Sequence, residues 1–215
     1  MVQRFLSVVA VAWVSFMAAS GVGSAADRPI RIVTLGDSLS VGFGLPASAA
    51  FPARLEQALK AKGLAVDVVN AGVSGDTASG GLSRLDWSVP AGTDAVILEL
   101  GANDMLRGID PQVTRQALEN IVRTLKARGV EVLLAGMRSA PNLGADYRRV
   151  FDRIFPDLAS AYGLVFYPFF LDGVAAIPKL NQFDGLHPTE AGIDVIVARI
   201  LPKAEELVAR VRARR

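Results

Sequence analysis

The chain has 215 residues, no cysteine, 51% hydrophobic residues and a formal net charge of +2. That length suits one medium domain with a sizeable core. The near-neutral charge argues against a nucleic-acid partner, and the missing cysteines exclude disulfide staples and thiolate metal sites, so stability has to come from packing.

Residues 1–26 read as a secretory leader that precedes the fold. Arg4 supplies a short positive region, Phe5 to Ala19 an apolar run broken only by Ser7 and Ser15, and Ser24-Ala25-Ala26 the small residues that a signal peptidase reads. The run is short for a membrane span. The expectation is a single mature domain over 27–215, periplasmic or secreted, with no stable membrane insertion after cleavage; an uncleaved N-terminal anchor is the alternative.

From Ile30 onward, apolar strand-like runs alternate with helical patterns. Strands are expected at Ile30–Leu35, Val66–Val69, Ala95–Leu100, Val130–Ala135 and Leu164–Tyr167. Between them lie helical spacings over Phe51–Lys62, Thr77–Leu85, Pro111–Arg128 and Ala145–Tyr162, and a last one over Thr189–Arg212. Asp110 and Pro111 open the clearest of these helices and Gly129 closes it. Kinks are expected at Pro156 and Pro202. Strands that are apolar throughout, separated by amphipathic helices, argue for an α/β fold with a five-stranded parallel sheet covered on both faces. In such sheets ligands bind beyond the carboxyl ends of the strands.

The polar loops at those ends carry the candidate chemistry. Gly36-Asp37-Ser38-Leu39-Ser40 follows the first strand and can present the Ser38 hydroxyl above the sheet edge. His187, the only histidine, lies in the long loop from Pro168 to Pro188, three residues after Asp184. A turn of that length can bring the carboxylate to one ring nitrogen while the other faces the serine, the arrangement of a nucleophile, base and orienting acid. The blander alternative for Asp184 is ordinary turn chemistry. Gly72 after the second strand and Asn103 after the third could join the Ser38 N–H as donors to an oxyanion; each could equally be a plain loop residue. Asp37 is expected to brace its loop rather than to act chemically. With one histidine and no cysteine, only carboxylates remain for a metal, and no metal or organic cofactor is expected.

Four blocks, Gly36-Asp37-Ser38-Leu39-Ser40, Asn70-Ala71-Gly72-Val73-Ser74-Gly75-Asp76-Thr77, Gly101-Ala102-Asn103-Asp104 and Asp184-Gly185-Leu186-His187-Pro188, resemble those of the GDSL or SGNH hydrolases, in the family's order. The chain is similar to the thioesterase I, arylesterase and lysophospholipase branch, with Ala102 where a glycine is frequent. The resemblance implies a flavodoxin-like three-layer α/β/α fold. It also implies Ser38, Asp184 and His187 as the triad and Ser38, Gly72 and Asn103 as the oxyanion hole. The expected substrates are small-molecule acyl esters or thioesters. Among apolar residues near the loops, Met105, Leu106 and Phe183, with Phe43, Leu45, Leu143 and Ile177, are candidates to line an acyl channel. A carbohydrate O-acetyl esterase and a non-catalytic ligand-binding member of the fold are the rival readings.

Overall fold

Five strands pair in parallel in the computed structural model, which describes residues 28–215; the leader expected over 1–26 lies outside the described residues. The strands are β1 (Ile30–Gly36), β2 (Val66–Gly72), β3 (Ala95–Glu99), β4 (Glu131–Ala135) and β5 (Val165–Tyr167), in the order β2-β1-β3-β4-β5. This is the flavodoxin-like order, in which the chain turns to opposite sides of β1 and leaves a crevice between the ends of β1 and β3. Ile32 pairs with Val68 on one side and with Ala95 on the other, which fixes the register of the central strand.

The apolar runs become strands because both faces of the sheet are covered. All five residues of β3 and of β4 are buried. The helices α2 (Phe51–Ala61) and α8 (Glu190–Arg212) pack together on one face, α2 against β2 and α8 against β3, β4 and β5. On the other face α6 (Pro111–Ala127) lies between α3 (Ala78–Ser83) and α7 (Ala145–Tyr162). Leu118, Ile121, Val122 and Leu125 of α6 are buried, the i, i+3, i+4, i+7 stripe of a helix lying on a sheet. The side chain of Asp110 accepts from the Gln112 N–H at 2.9 Å and caps this helix as its sequence predicts.

The differences from expectation are local. The single helix expected over Thr77–Leu85 divides at Arg84 into α3 and the short α4 (Leu85–Ser88). Two one-turn helices, α1 (Ser38–Val41) and α5 (Ala102–Leu106), are too short to show a periodicity. Pro156 and Pro202, where kinks are expected, lie inside α7 and α8, each of which continues as a single element through its proline. Among the described residues no helix is long and apolar enough to cross a membrane.

The break at Arg84 has a reason. Its guanidinium donates to Asp76 Oδ2 (2.6 Å), the Ala71 carbonyl (2.8 Å), Ser88 Oγ (2.8 Å) and the Gly36 carbonyl (2.9 Å). One half-buried side chain thereby ties the ends of β1 and β2 to Ser88, the last residue of α4. Both partners of the Arg84–Asp76 pair are largely shielded from water, so truncating one strands the other. Arg84→Met is expected to lower stability by about 2–4 kcal/mol in a urea melt. A loss below about 0.5 kcal/mol, the level of an ordinary surface substitution, would show that the clamp is dispensable.

Candidate active site

Loops from the carboxyl ends of all five strands line one cleft of about 580 Å³, the size range of small-molecule sites. Ser38 comes from β1, Gly75 from β2, Asn103 from β3, Met137 and Arg138 from β4, and Phe169, Leu186 and His187 from the segment after β5. The sequence pointed to chemistry in four of these loops; in the one after β4 it offered only Leu143 as a lining residue and missed Met137-Arg138-Ser139, which carries no spacing signal.

Ser38 sits at the first position of α1. Asp37 caps that helix, accepting from the Leu39 N–H at 2.9 Å through Oδ1. His187 Nε2 lies 2.9 Å from Ser38 Oγ, and His187 Nδ1 lies 2.5 Å from Asp184 Oδ2. The three residues expected to act together are therefore joined by hydrogen bonds in the order carboxylate, imidazole, hydroxyl. Asp184 Oδ1 also accepts from the backbone N–H groups of Leu186 (2.9 Å) and His187 (3.0 Å), so the carboxylate organises its own turn as well as the ring. These backbone donors, with the ring N–H, hold the Asp184 carboxyl down at about 2. The Phe43 ring packs on the imidazole, with centroids 4.5 Å apart and a 36° tilt.

The long loop is held, not loose. Asn181 and Pro188 form an antiparallel bridge, and the Gln182 N–H donates to the His187 carbonyl at 2.7 Å, so residues 182–187 form a closed turn. Gln182 Nε2 donates to the Phe43 carbonyl (2.7 Å) and the Pro188 carbonyl (2.9 Å), stapling the histidine loop to the serine loop. Sequence reasoning missed Gln182, because a lone glutamine in a loop carries no spacing signal.

Gly72 is the first correction. Its N–H donates to Asn70 Oδ1 at 3.0 Å, and it is the last residue of β2, outside the cleft lining. A Cβ there would collide with the Val41 N and the Asp37 carbonyl oxygen, so the glycine lets α1 pack against β2. Gly75, three residues later, lines the cleft with φ +82°, a left-handed backbone that favours glycine. Among the described residues the N–H groups of Gly75 and Ser38 have no hydrogen-bond partner. Asn103 lines the same cleft, and its Nδ2 donates one hydrogen to Asp37 Oδ2 at 3.1 Å, which leaves its second N–H available. The second correction is Phe183, which is fully exposed and outside the lining; the half-buried Leu45, Leu143 and Ile177 lie outside the lining too. Asp184 turns inward and its neighbour Phe183 turns out. Met105, Leu106 and Phe43 do line the cleft.

Residues 34–195 match the GDSL-like lipase/acylhydrolase family model. The chain belongs to the GDSL-like lipase/acylhydrolase family. It is 42% identical over 158 residues to the thioesterase 1/protease 1/lysophospholipase L1 of Escherichia coli K12, covering 73% of this chain and 74% of that protein. It is 36% identical over 178 residues to the esterase TesA of Pseudomonas aeruginosa, covering 82% of this chain and 89% of that protein. Among solved structures, the SGNH-hydrolase family esterase AlinE4 superposes with a TM-score of 0.71 at 42% identity, over 83% of this chain and 96% of that one. This GDSL-family chain is thus an ester-hydrolysing enzyme, in agreement with the resemblance of its four blocks.

Two expectations follow for this GDSL-family site. Asp184 has its carboxyl held at about 2, below the ordinary 3.8, so its ionised form is favoured by folding. The stability that it contributes is present above about pH 4 and is lost as pH falls towards 2. Asp184→Asn should therefore be less stable than wild type at neutral pH, and the gap should close in denaturant melts below about pH 3; a gap that is constant with pH would refute the assignment. Gln182→Leu, which frees the His187 loop from the serine loop, should lower kcat about tenfold with the fold intact by circular dichroism, as expected of an imidazole whose position sets the rate.

Proposed function

We propose that the enzyme hydrolyses carboxylic esters and acyl thioesters through an acyl-enzyme on Ser38. The observation that carries the reading is the unbroken line of contacts from Asp184 through His187 to Ser38, opening onto a cleft lined mainly by apolar side chains. Ser38 Oγ attacks the carbonyl carbon as His187 Nε2 takes its proton, giving a tetrahedral oxyanion. The Ser38 N–H, the Gly75 N–H and the free N–H of the Asn103 amide receive that charge; Gly75 takes the place that the sequence suggested for Gly72. The oxyanion collapses, and the leaving alkoxide or thiolate departs with the proton from Nε2. Water then gives a proton to Nε2 and attacks the acyl carbon; collapse returns that proton to Ser38 Oγ and releases the carboxylic acid. Asp184 keeps Nδ1 protonated and balances the imidazolium.

The substrates that fit are aryl esters, lysophospholipids and acyl-CoA with medium or long acyl chains. Met105, Leu106, Met137, Phe169 and Leu186 offer the acyl chain an apolar wall beside Ser38. No metal or organic cofactor enters the scheme. The leader pattern of residues 1–26 supports action after export, in the periplasm or outside the cell; Edman sequencing of the exported protein should begin at Asp27.

A fluorophosphonate probe should label Ser38, and Ser38→Ala should abolish labelling and lower kcat by about 10³-fold or more. Unchanged turnover in that variant would end the serine-nucleophile reading. Across p-nitrophenyl esters kcat/KM should rise from acetate to medium chains, about tenfold or more over several added methylenes; a maximum at acetate would favour an O-acetyl esterase instead.

A further inference from the structure

Two carboxyl groups lie beneath Ser38 that the reaction leaves without a task. Asp37, between β1 and α1, and Glu99, the last residue of β3, are both fully buried. Asp37 uses both oxygens, accepting from the Leu39 N–H and from the Asn103 amide. Glu99 Oε2 accepts from Ser40 Oγ at 2.7 Å and from the Asp37 N–H at 3.4 Å, while Glu99 Oε1 is buried with no donor. Among the described residues neither carboxyl forms an ion pair with an arginine or lysine. An uncompensated buried carboxylate costs several kcal/mol, and two that face each other in a dry site cannot both ionise.

The proton belongs on Glu99. Burial pushes its carboxyl well above the ordinary range, and the Asp37 charge pushes it further. Burial also raises Asp37, to about 6, but its donors from Leu39 and Asn103 and the nearby His187 pull the other way. The remaining neighbours do not compete for that proton. Asp104 adds repulsion at Asp37, yet its own oxygens are taken by the Ala78 N–H and the Thr114 hydroxyl. Arg84 reaches the adjacent Gly36 carbonyl and is paired with Asp76. Gly36 leaves the space for this arrangement, since a Cβ there would run into Ser40 Oγ and Glu99 Oε2.

We propose that Glu99 is a positioning residue, an acid that stays neutral at neutral pH, shares its proton with Asp37 and so fixes Asp37 where it both caps the Ser38 helix and orients the Asn103 amide. The proposal rests on Ser38 and Asn103 acting as proposed above. A second negative charge at Glu99 would force the two carboxyls apart and release the amide that is needed only as the oxyanion forms. The damage should therefore fall on kcat and leave KM alone.

The test compares Glu99→Gln and Glu99→Leu with wild type on p-nitrophenyl butyrate between about pH 5 and 10. Glu99→Leu, which has no proton to share, should lose about ten- to a hundredfold in kcat at a KM within about twofold of wild type. Glu99→Gln, whose amide N–H stands where the acid O–H stood, should recover kcat to within about threefold at neutral pH and keep its rate at alkaline pH, where wild type falls. The proposal is overturned if Glu99→Gln is as impaired as Glu99→Leu, if both wild type and Glu99→Gln fall alike at alkaline pH, or if Glu99→Leu keeps wild-type kcat. Should Glu99→Leu not fold, the neutral-pH rate and alkaline limb of Glu99→Gln decide alone. Fluorophosphonate titration separates the two levels: wild type that is active but unlabelled at Ser38 defeats the nucleophile reading, whereas labelled protein with the wrong Glu99 behaviour defeats only this inference.

Discussion

Burial of β1 and β3 on both faces is the constraint from which the site follows. With Ile32, Val33, Leu35, Val96, Ile97 and Leu98 packed away from water, the interior of the sheet has no room for chemistry. Reactive groups can appear only where the strands stop. Because the chain turns to opposite sides of β1, the loops after β1 and β3 part there and leave a crevice. Ser38 and Asn103 stand on its two banks, and the closed turn of residues 182–187 reaches over from the far edge. Packing fixes the floor of the site to strand precision, and the His187 loop is fastened by Gln182 and the Asn181–Pro188 bridge.

Environment then divides labour among carboxylates that a sequence cannot rank. Asp37 adjoins the serine and Asp184 is 146 positions away from it, yet Asp184 contacts the imidazole. Asp184 sits near solvent, surrounded by backbone donors, and stays ionised down to about 2. Asp37 lies under the helix in a dry pocket beside Glu99, and its carboxyl rises to about 6. The first environment favours a permanent negative charge next to the ring that the proposed mechanism turns into an imidazolium. The second favours a shared proton and a fixed geometry. Opposed environments of this kind are how one site sets different roles for the same chemical group.

Much of this was legible in the sequence, for physical reasons. Apolar strands and amphipathic helices are periodic over several residues, so the fold class, all five strands and the long helices could be read directly. The Asp184–His187 spacing is a local turn, and local turns are legible too. What was missed depends on tertiary approach. Gly72 and Gly75 look alike in a string; only the closeness of Val41 to the first and the left-handed backbone of the second tell them apart. Alternation along the turn at 182–187 decides that Phe183 faces water while Asp184 faces the ring. The one-turn helices α1 and α5 are shorter than any hydrophobic period, and Glu99 reads as one polar residue at the end of an apolar run.

That last residue bears on how the proposed oxyanion hole is built. Two of its three donors are backbone N–H groups, whose positions the strands and the Gly75 backbone set. The third is a side-chain amide on a one-turn helix, with rotatable bonds between it and the scaffold. An amide of that kind contributes to a transition state only if it is already oriented before charge develops, since reorientation during the reaction would consume what it gains. Asp37 provides the orientation by taking one of the two amide hydrogens, and it can do so only while it remains an acceptor in a pocket that disfavours charge. A neutral neighbour that donates to it meets both needs at once. Glu99 stands at the end of β3, with only Leu100 and Gly101 between it and the helix α5 that carries Asn103, so the strand that positions the amide also positions the acid that steadies it.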